Sequence, residues 1–231
     1  MNTVDHDIFF TTLVIGDTCV GKMKFIKSYT DEKYKNIFDN DSRFKLLTCD
    51  GLKIKLLLKK YFDRPSSDGG SNTTVYRNTQ CFLVMFDVCD FDSFQGIKLW
   101  IREIVTFSKH GTPIIVIGNK IDLKDNRKVQ MEQVLELIEQ IKENFNLKFQ
   151  IPYFEISSLQ PDSSQFKKIF KTIYLLTSQR FNKPITNINN ATLEDKTNHG
   201  SSEEYLTKDD GKELRNKRKS KILNTIISIF K

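Results

Sequence analysis

Two short segments of this chain carry residue types at spacings suited to holding a nucleotide. The first is Gly16-Asp17-Thr18-Cys19-Val20-Gly21-Lys22, which follows an apolar run from Ile8 to Ile15. The glycines at its two ends let the backbone wrap so that its N–H groups point inward at a di- or triphosphate. A helix beginning at Lys22 adds positive potential at its N-terminus, and the Lys22 ammonium neutralises phosphate charge. The usual pattern continues with Ser or Thr, whose hydroxyl ligates Mg²⁺. Here Met23 stands instead, and a thioether is a poor ligand for a hard, oxygen-seeking ion. The second segment is Gly118-Asn119-Lys120-Ile121-Asp122-Leu123, at the carboxyl end of the apolar run Ile114 to Ile117. In a parallel sheet that edge is where ligands sit. A carboxylate at Asp122 can accept from both guanine N1–H and the exocyclic amine, donors that adenine does not present there.

The elements that must position these segments alternate along the chain. Ile8 to Ile15 reads as a buried strand, and Lys22 onward as a helix with Phe25, Ile26 and Tyr29 on its apolar face. Phe44 to Thr48 and Leu52 to Leu58 flank Cys49-Asp50-Gly51, and Asp-Gly between apolar runs signals a hairpin. A loop rich in Ser, Gly and Asn follows from Arg64 to Thr74. Cys81 to Phe86 reads as a fully buried strand, and Ser93 starts a helix through Phe94, Ile97, Trp100, Ile101 and Ile104. Ile114 to Ile117 is another strand, Met131 to Phe145 an amphipathic helix, Phe149 to Ile156 a strand and Phe166 to Leu176 a last helix. This alternation implies an α/β domain: a mostly parallel sheet with helices on both faces.

Composition narrows the field further. With 231 residues, 39% hydrophobic and 18 Phe, the chain can build one globular domain with an extension. Its four cysteines form no CxxC pair and have no His partners at ligand spacing, which argues against zinc and disulfide scaffolds and fits a reducing compartment. No apolar run approaches the roughly 20 residues of a membrane span, and Asp5 and Asp7 before the first run do not suit a signal peptide. The net charge is +7, but Gly211 to Lys231 alone holds seven basic residues against one acidic. The preceding 210 residues therefore carry only +1, and no nucleic acid partner is expected of them.

At these residues the sequence resembles the Ras-like small GTPases, and Rab proteins most closely, over residues 5 to 178. Besides the two motifs, Phe86-Asp87-Val88-Cys89-Asp90-Phe91-Asp92-Ser93-Phe94 and Leu99-Trp100-Ile101-Arg102-Glu103-Ile104 look like the Rab strand-helix segment. Tyr76-Arg77 resembles the end of the second switch. Glu155-Ile156-Ser157-Ser158 is similar to the Glu-Thr-Ser-Ala element that braces the base, with Ser158 in place of Ala and Leu159 in place of Lys. Counted without gaps from Lys22, Tyr34 falls where the family keeps an aromatic ring against guanine. The resemblance implies a P-loop domain with a six-stranded, mostly parallel sheet, one antiparallel edge strand and helices on both faces. It implies GTP/GDP as ligand, with Gly16, Asp17, Thr18, Cys19, Val20, Gly21, Lys22 and Met23 around the phosphates. Tyr34, Asn119, Lys120, Asp122, Ser157 and Ser158 would surround the base, and effector or regulator proteins of Rab type would be the partners.

Three features that serve hydrolysis in this family are missing. The first switch should carry a Thr that ligates Mg²⁺, yet ungapped counting puts Asp41 there and no Thr lies between Asp31 and Leu47. The second switch should read Asp-x-x-Gly-Gln. Its Asp falls at Lys60 without gaps, or at Asp63 with a short insertion, and neither register restores the Gly or the Gln. The expectation is a protein that keeps phosphate and base contacts but has Mg²⁺ as a doubtful cofactor, no metal-ligand set, no assigned catalytic residue and little intrinsic hydrolysis. Two alternatives stand beside it: an interaction module indifferent to nucleotide, and a slow GTPase in which Asp41 or Asp63 replaces a metal ligand. An adenine-specific kinase lacks its base motif here.

Beyond the domain, residues 179 to 211 read as a polar linker and 212 to 231 as a basic amphipathic tail. Lys217-Arg218-Lys219-Ser220-Lys221 precedes Ile222, Leu223, Ile226, Ile227, Ile229 and Phe230, which share one helical face. No cysteine follows Cys89, so prenylation is not expected. The tail is expected to meet an anionic membrane surface, placing the protein in the cytoplasm and on the cytosolic face of an internal membrane.

Overall fold

The computed structural model describes residues 6–30, 41–49, 51–61 and 73–180. Tyr34, Asp63, the tail and all of the expected linker beyond Arg180 lie outside these residues, while the linker's first two residues belong to the last helix. The chain runs β1 (Ile8–Ile15), α1 (Lys22–Tyr29), β2 (Ser42–Cys49), β3 (Leu52–Lys60), α2 (Thr73–Arg77), β4 (Cys81–Asp87), α3 (Phe91–Phe107), β5 (Ile114–Asn119), α4 (Met131–Asn144), β6 (Tyr153–Ile156) and α5 (Ser163–Arg180). Six strands form one sheet in the order β2-β3-β1-β4-β5-β6. β2 pairs with β3 antiparallel, and every other pairing is parallel, as expected.

Central strands become continuous apolar runs because both of their faces are covered. β4 is buried at all seven positions. Its Leu83 and Met85 join Phe25 and Ile26 of α1 and Ile169, Phe170 and Ile173 of α5 in one layer. Its Phe82, Val84 and Phe86 join Ile97 and Ile101 of α3 and Val134 and Ile138 of α4 in the other. Each such side chain contributes about 1.5–3 kcal/mol by burial, so α1 and α3, which flank the site, are held mainly by their apolar stripes. Parallel strands place β1, β4 and β5 with their carboxyl ends at one edge. Sequence order in the sheet reverses about β1, and the crevice at such a reversal is where α/β folds bind ligands.

Several boundaries differ from the sequence reading. α3 starts at Phe91 rather than Ser93, because Asp90 is its cap and accepts from Asp92 N at 3.1 Å. The Ser93 hydroxyl turns inward instead and accepts from Asp87 N at 3.1 Å. β6 is confined to Tyr153–Ile156, since Pro152 just before it has no N–H to add to a ladder. α5 is longer than its apolar stretch, and the short helix α2 begins at Thr73, inside what reads as loop. Among the described residues no helix is long and apolar enough to cross a membrane.

Candidate functional site

β1 ends at Ile15, and residues 16–21 turn sharply beneath β4 and β5 before α1 begins. Gly16 has φ +138°, and a Cβ there would come within 2.0 Å of Met85 O, so only glycine lets the loop pass the β4 backbone. Gly21 has φ +98°, and its Cβ would meet Asn119 Nδ2 at 2.3 Å. The two glycines thus permit close approach, one to the sheet and the other to the second motif. Gly21 caps α1 without a side-chain hydrogen bond, and no acidic residue occupies the first turn. The N-terminal amides of α1 are left to whatever anion the loop encloses.

Lys22 is buried and donates to Gly16 O at 2.6 Å and Asp17 O at 2.5 Å. Burial, joined by the charge on Lys60 and opposed by Asp17 and Cys19, lowers its pKa to about 8. Asp17 fixes the loop from the other side: its Oδ1 accepts from Trp100 Nε1 of α3 at 3.0 Å. Gly96 makes room for that contact, as a Cβ there would sit 2.9 Å from Asp17 Oδ2. Cys19 is exposed and adopts φ 62° at the tip of the turn.

Asn119 joins the two motifs. Its buried side chain donates from Nδ2 to Val20 O at 2.8 Å and accepts at Oδ1 from Ser158 N at 2.9 Å. One amide therefore ties together the phosphate loop, the end of β5 and the turn after β6. Lys120, at φ 69°, follows and pairs through Nζ with Asp87 Oδ2 at 2.6 Å. Asp122 Oδ1 is buried and has no hydrogen-bond partner. Beside it an open cavity of about 260 Å³ runs between Asp122, Lys124, Ser157 and the start of α5 at Gln165 and Phe166. Ser157 Oγ accepts from Gln160 N at 2.9 Å, whereas Ser158 Oγ is buried without a partner.

The brace behind this turn was not visible from the motifs. Arg127 grips Glu155 with two bonds, Nη1 to Oε1 at 3.1 Å and Nη2 to Oε2 at 2.5 Å. Tyr153 donates to the same Oε1 at 2.7 Å. Glu155 raises the Arg127 pKa above its ordinary value, chiefly through that hydrogen bond. Burial, reinforced by Glu155, pushes the Tyr153 hydroxyl well above the usual phenol range, so it stays a donor. Tyr153, two residues before the Glu of Glu155-Ile156-Ser157-Ser158, was the one local signal of this brace; Arg127 lies 28 residues upstream, and nothing in the spacing pairs it with Glu155.

Among the described residues, those on the metal side do not fit Mg²⁺. Met23 packs against the core layer below the loop and offers only sulfur. Lys60 closes β3 with an ammonium, and its Nζ lies 3.2 Å from Asp41 Oδ1. The backbone repeats the link, Lys60 N donating to Asp41 O at 2.8 Å. Asp41, considered from sequence as a substitute metal ligand, is thus committed to a cation of the chain itself.

Of the residues singled out in the sequence, the structure brings 16–22, Asn119, Lys120, Asp122, Ser157 and Ser158 to one edge of the sheet. Tyr34 lies outside the described residues.

Comparison with known proteins agrees with this geometry. The model of the Ras family matches residues 11–178. The chain is 27% identical to the GTP-binding protein YPT1 of Saccharomyces cerevisiae over 213 residues, which is 90% of this chain and 97% of that protein. It is 31% identical to the Ras-related protein Rab-27B of Rattus norvegicus over 197 residues, 79% of this chain and 86% of that one. A third relative, the Ras-related protein RIC1 of Oryza sativa subsp. japonica, is 29% identical over 175 residues, 73% and 80% of the two chains.

Proposed function

The chain belongs to the Ras family of small GTPases, and on that premise we propose that it binds GTP and GDP and regulates intracellular membrane traffic as a Rab-like protein with little or no hydrolysis of its own. The observation that carries the nucleotide reading is Asp122 Oδ1, a buried acceptor with no partner on a turn that Asn119 locks to the phosphate loop. A buried carboxylate oxygen left unpaired is costly, and guanine N1–H and its amine are the donors that satisfy it. In this reading the amides of Gly16, Asp17, Thr18, Cys19, Val20 and Gly21 and the Lys22 ammonium hold phosphates, and Met23 follows them on the first turn of α1. The stem of Lys120 covers the base, Tyr34 borders it, and the turn at Ser157 and Ser158 supports its edge. The traffic role rests on the Rab and Ypt relatives rather than on the site.

Weak hydrolysis follows from what stands around the phosphates. Phosphoryl transfer needs positive charge and a positioned water at the terminal phosphate. Met23 and the Lys60–Asp41 pair offer neither a hydroxyl nor an unengaged carboxylate where the family places its metal contacts. Single-turnover conversion of bound GTP, followed by chromatography, tests this. GTP should persist for hours, and complete turnover within minutes would overturn it.

Within the same proposal the nucleotide domain covers residues 5–178, with a linker over 179–211 and a membrane-binding tail over 212–231. Effectors or regulators of Rab type are its protein partners. Co-sedimentation with anionic vesicles should be lost on truncation after Gly211; unchanged binding would remove the membrane role.

A further inference from the structure

Lys22 has a neighbouring lysine, and strand geometry puts it on the phosphate side. Ile54, Leu56 and Leu58 of β3 are buried in the same layer as Phe25 and Ile26 of α1. Side chains alternate along a strand, so Lys60, two residues beyond Leu58, projects toward the side where α1 starts. The β1–β3 register pairs Lys60 with Val14, two residues before Gly16. Lys60 lies near enough to Lys22 for its charge to be the largest electrostatic influence on that residue. Its side chain is 18% exposed and is steered by Asp41, which binds it at both the backbone and the carboxylate.

The chemistry at this position is inverted relative to the family pattern. In the ungapped register a carboxylate has become an ammonium at Lys60, and a hydroxyl has become a thioether at Met23. A divalent cation entering here would meet positive charge and sulfur, whereas a phosphate would meet two ammonium groups. We propose that Lys60, oriented by Asp41, supplies to the phosphates of a bound guanine nucleotide the charge that Mg²⁺ would otherwise bring, so that binding does not require the metal. This rests on the nucleotide-binding reading above and goes beyond it by assigning the counter-ion to the chain itself.

The test is the affinity of the full-length protein for fluorescent GDP and GTP, in Mg²⁺ and in chelator. Wild type should change by less than about threefold between the buffers. Lys60→Met keeps the aliphatic stem but loses the charge, and should weaken binding about tenfold or more in both, the loss of one charge-assisted contact. The double variant M23S/K60D should instead gain Mg²⁺ dependence, binding tighter with the metal than with chelator. A melting curve of each nucleotide-free variant shows that it is folded. Wild-type binding that collapses on chelation, or Lys60→Met binding like wild type, would overturn the inference while leaving guanine recognition intact. Absence of wild-type binding in both buffers would overturn the recognition reading and this inference together.

Discussion

Asp122→Asn changes one oxygen to an amide nitrogen at constant size, and so isolates base recognition from the rest of the site. In the nucleotide-free chain Oδ1 is buried without a partner, a condition costing about 1–3 kcal/mol that a bound base would relieve. A carboxylate facing guanine accepts two charge-assisted hydrogen bonds, each contributing about 1.5–3 kcal/mol. Asparagine can accept only one, without the charge, and sets an N–H against the guanine amine. The loss should be at least about 3 kcal/mol, on the order of a hundredfold in Kd or more. Xanthine carries a carbonyl where guanine carries the amine, so it should accept from the new N–H. Calorimetric titration with GDP and XDP reads both effects. Wild type should prefer GDP and the variant XDP, while the melting temperature of the nucleotide-free variant should not fall, since an orphaned charge has been removed. GDP affinity within about threefold of wild type would refute the assignment of Asp122 to the base, because one lost contact of this class exceeds that change.

Three further outcomes follow from neighbouring residues. Ser158→Ala removes a buried hydroxyl without a partner and should stabilise the chain by about 1 kcal/mol, raising Tm by about 2–4 °C; a fall of similar size would show that the hydroxyl is satisfied in solution. Lys22 has a pKa of about 8 in the nucleotide-free chain, and phosphate should return it toward its ordinary value. Affinity should therefore be full below pH 8 and decline as pH rises through 8, because binding must then take up a proton. The nucleotide-free chain should gain stability over the same rise, since its unfolded state holds the extra proton there. Affinity that rises from pH 7.5 to 9 would contradict this order of pKa values. Trp100, the single tryptophan, is buried and bonded to Asp17 in the phosphate loop. Its emission should change on adding GDP and saturate with the calorimetric signal; an unaltered spectrum at saturation would mean that loop occupancy does not reach α3.

Much of the fold was legible because its signals are local. The runs at 81–86 and 114–117 are apolar throughout, as strands covered on both faces must be, 8–15 is apolar but for Thr11 and Thr12, and Asp50-Gly51 marked the hairpin. The α3 cap was misread because Asp90 and Ser93 are both good capping residues. The choice depends on the Ser93 hydroxyl meeting Asp87 N across a tertiary contact. α5 outran its apolar stretch because Thr177 and Ser178 are buried with their hydroxyls donating to the carbonyls of Ile173 and Tyr174. Of the site, the segments whose function lies in their backbone were readable, since glycine spacing dictates their path. The contacts that tie them together were not: Trp100 to Asp17, Asn119 to Val20 and Arg127 to Glu155 join residues far apart in sequence. Lys60 with Asp41 is the sharpest case. Counting had placed each residue at a switch position, but only the β2–β3 pairing shows that Asp41 steers the Lys60 ammonium.

The central claim is that this chain recognises guanine through a site it has kept, and the most direct measurement is calorimetric titration of the full-length protein with GDP, GTP, ADP and ATP in one buffer. The account predicts binding of GDP and GTP at one site per chain, with both adenine nucleotides weaker by about a hundredfold or more, as expected for a base held by paired bonds to a carboxylate. Equal binding of guanine and adenine nucleotides would contradict the role of Asp122. No binding of any of the four would contradict the account as a whole.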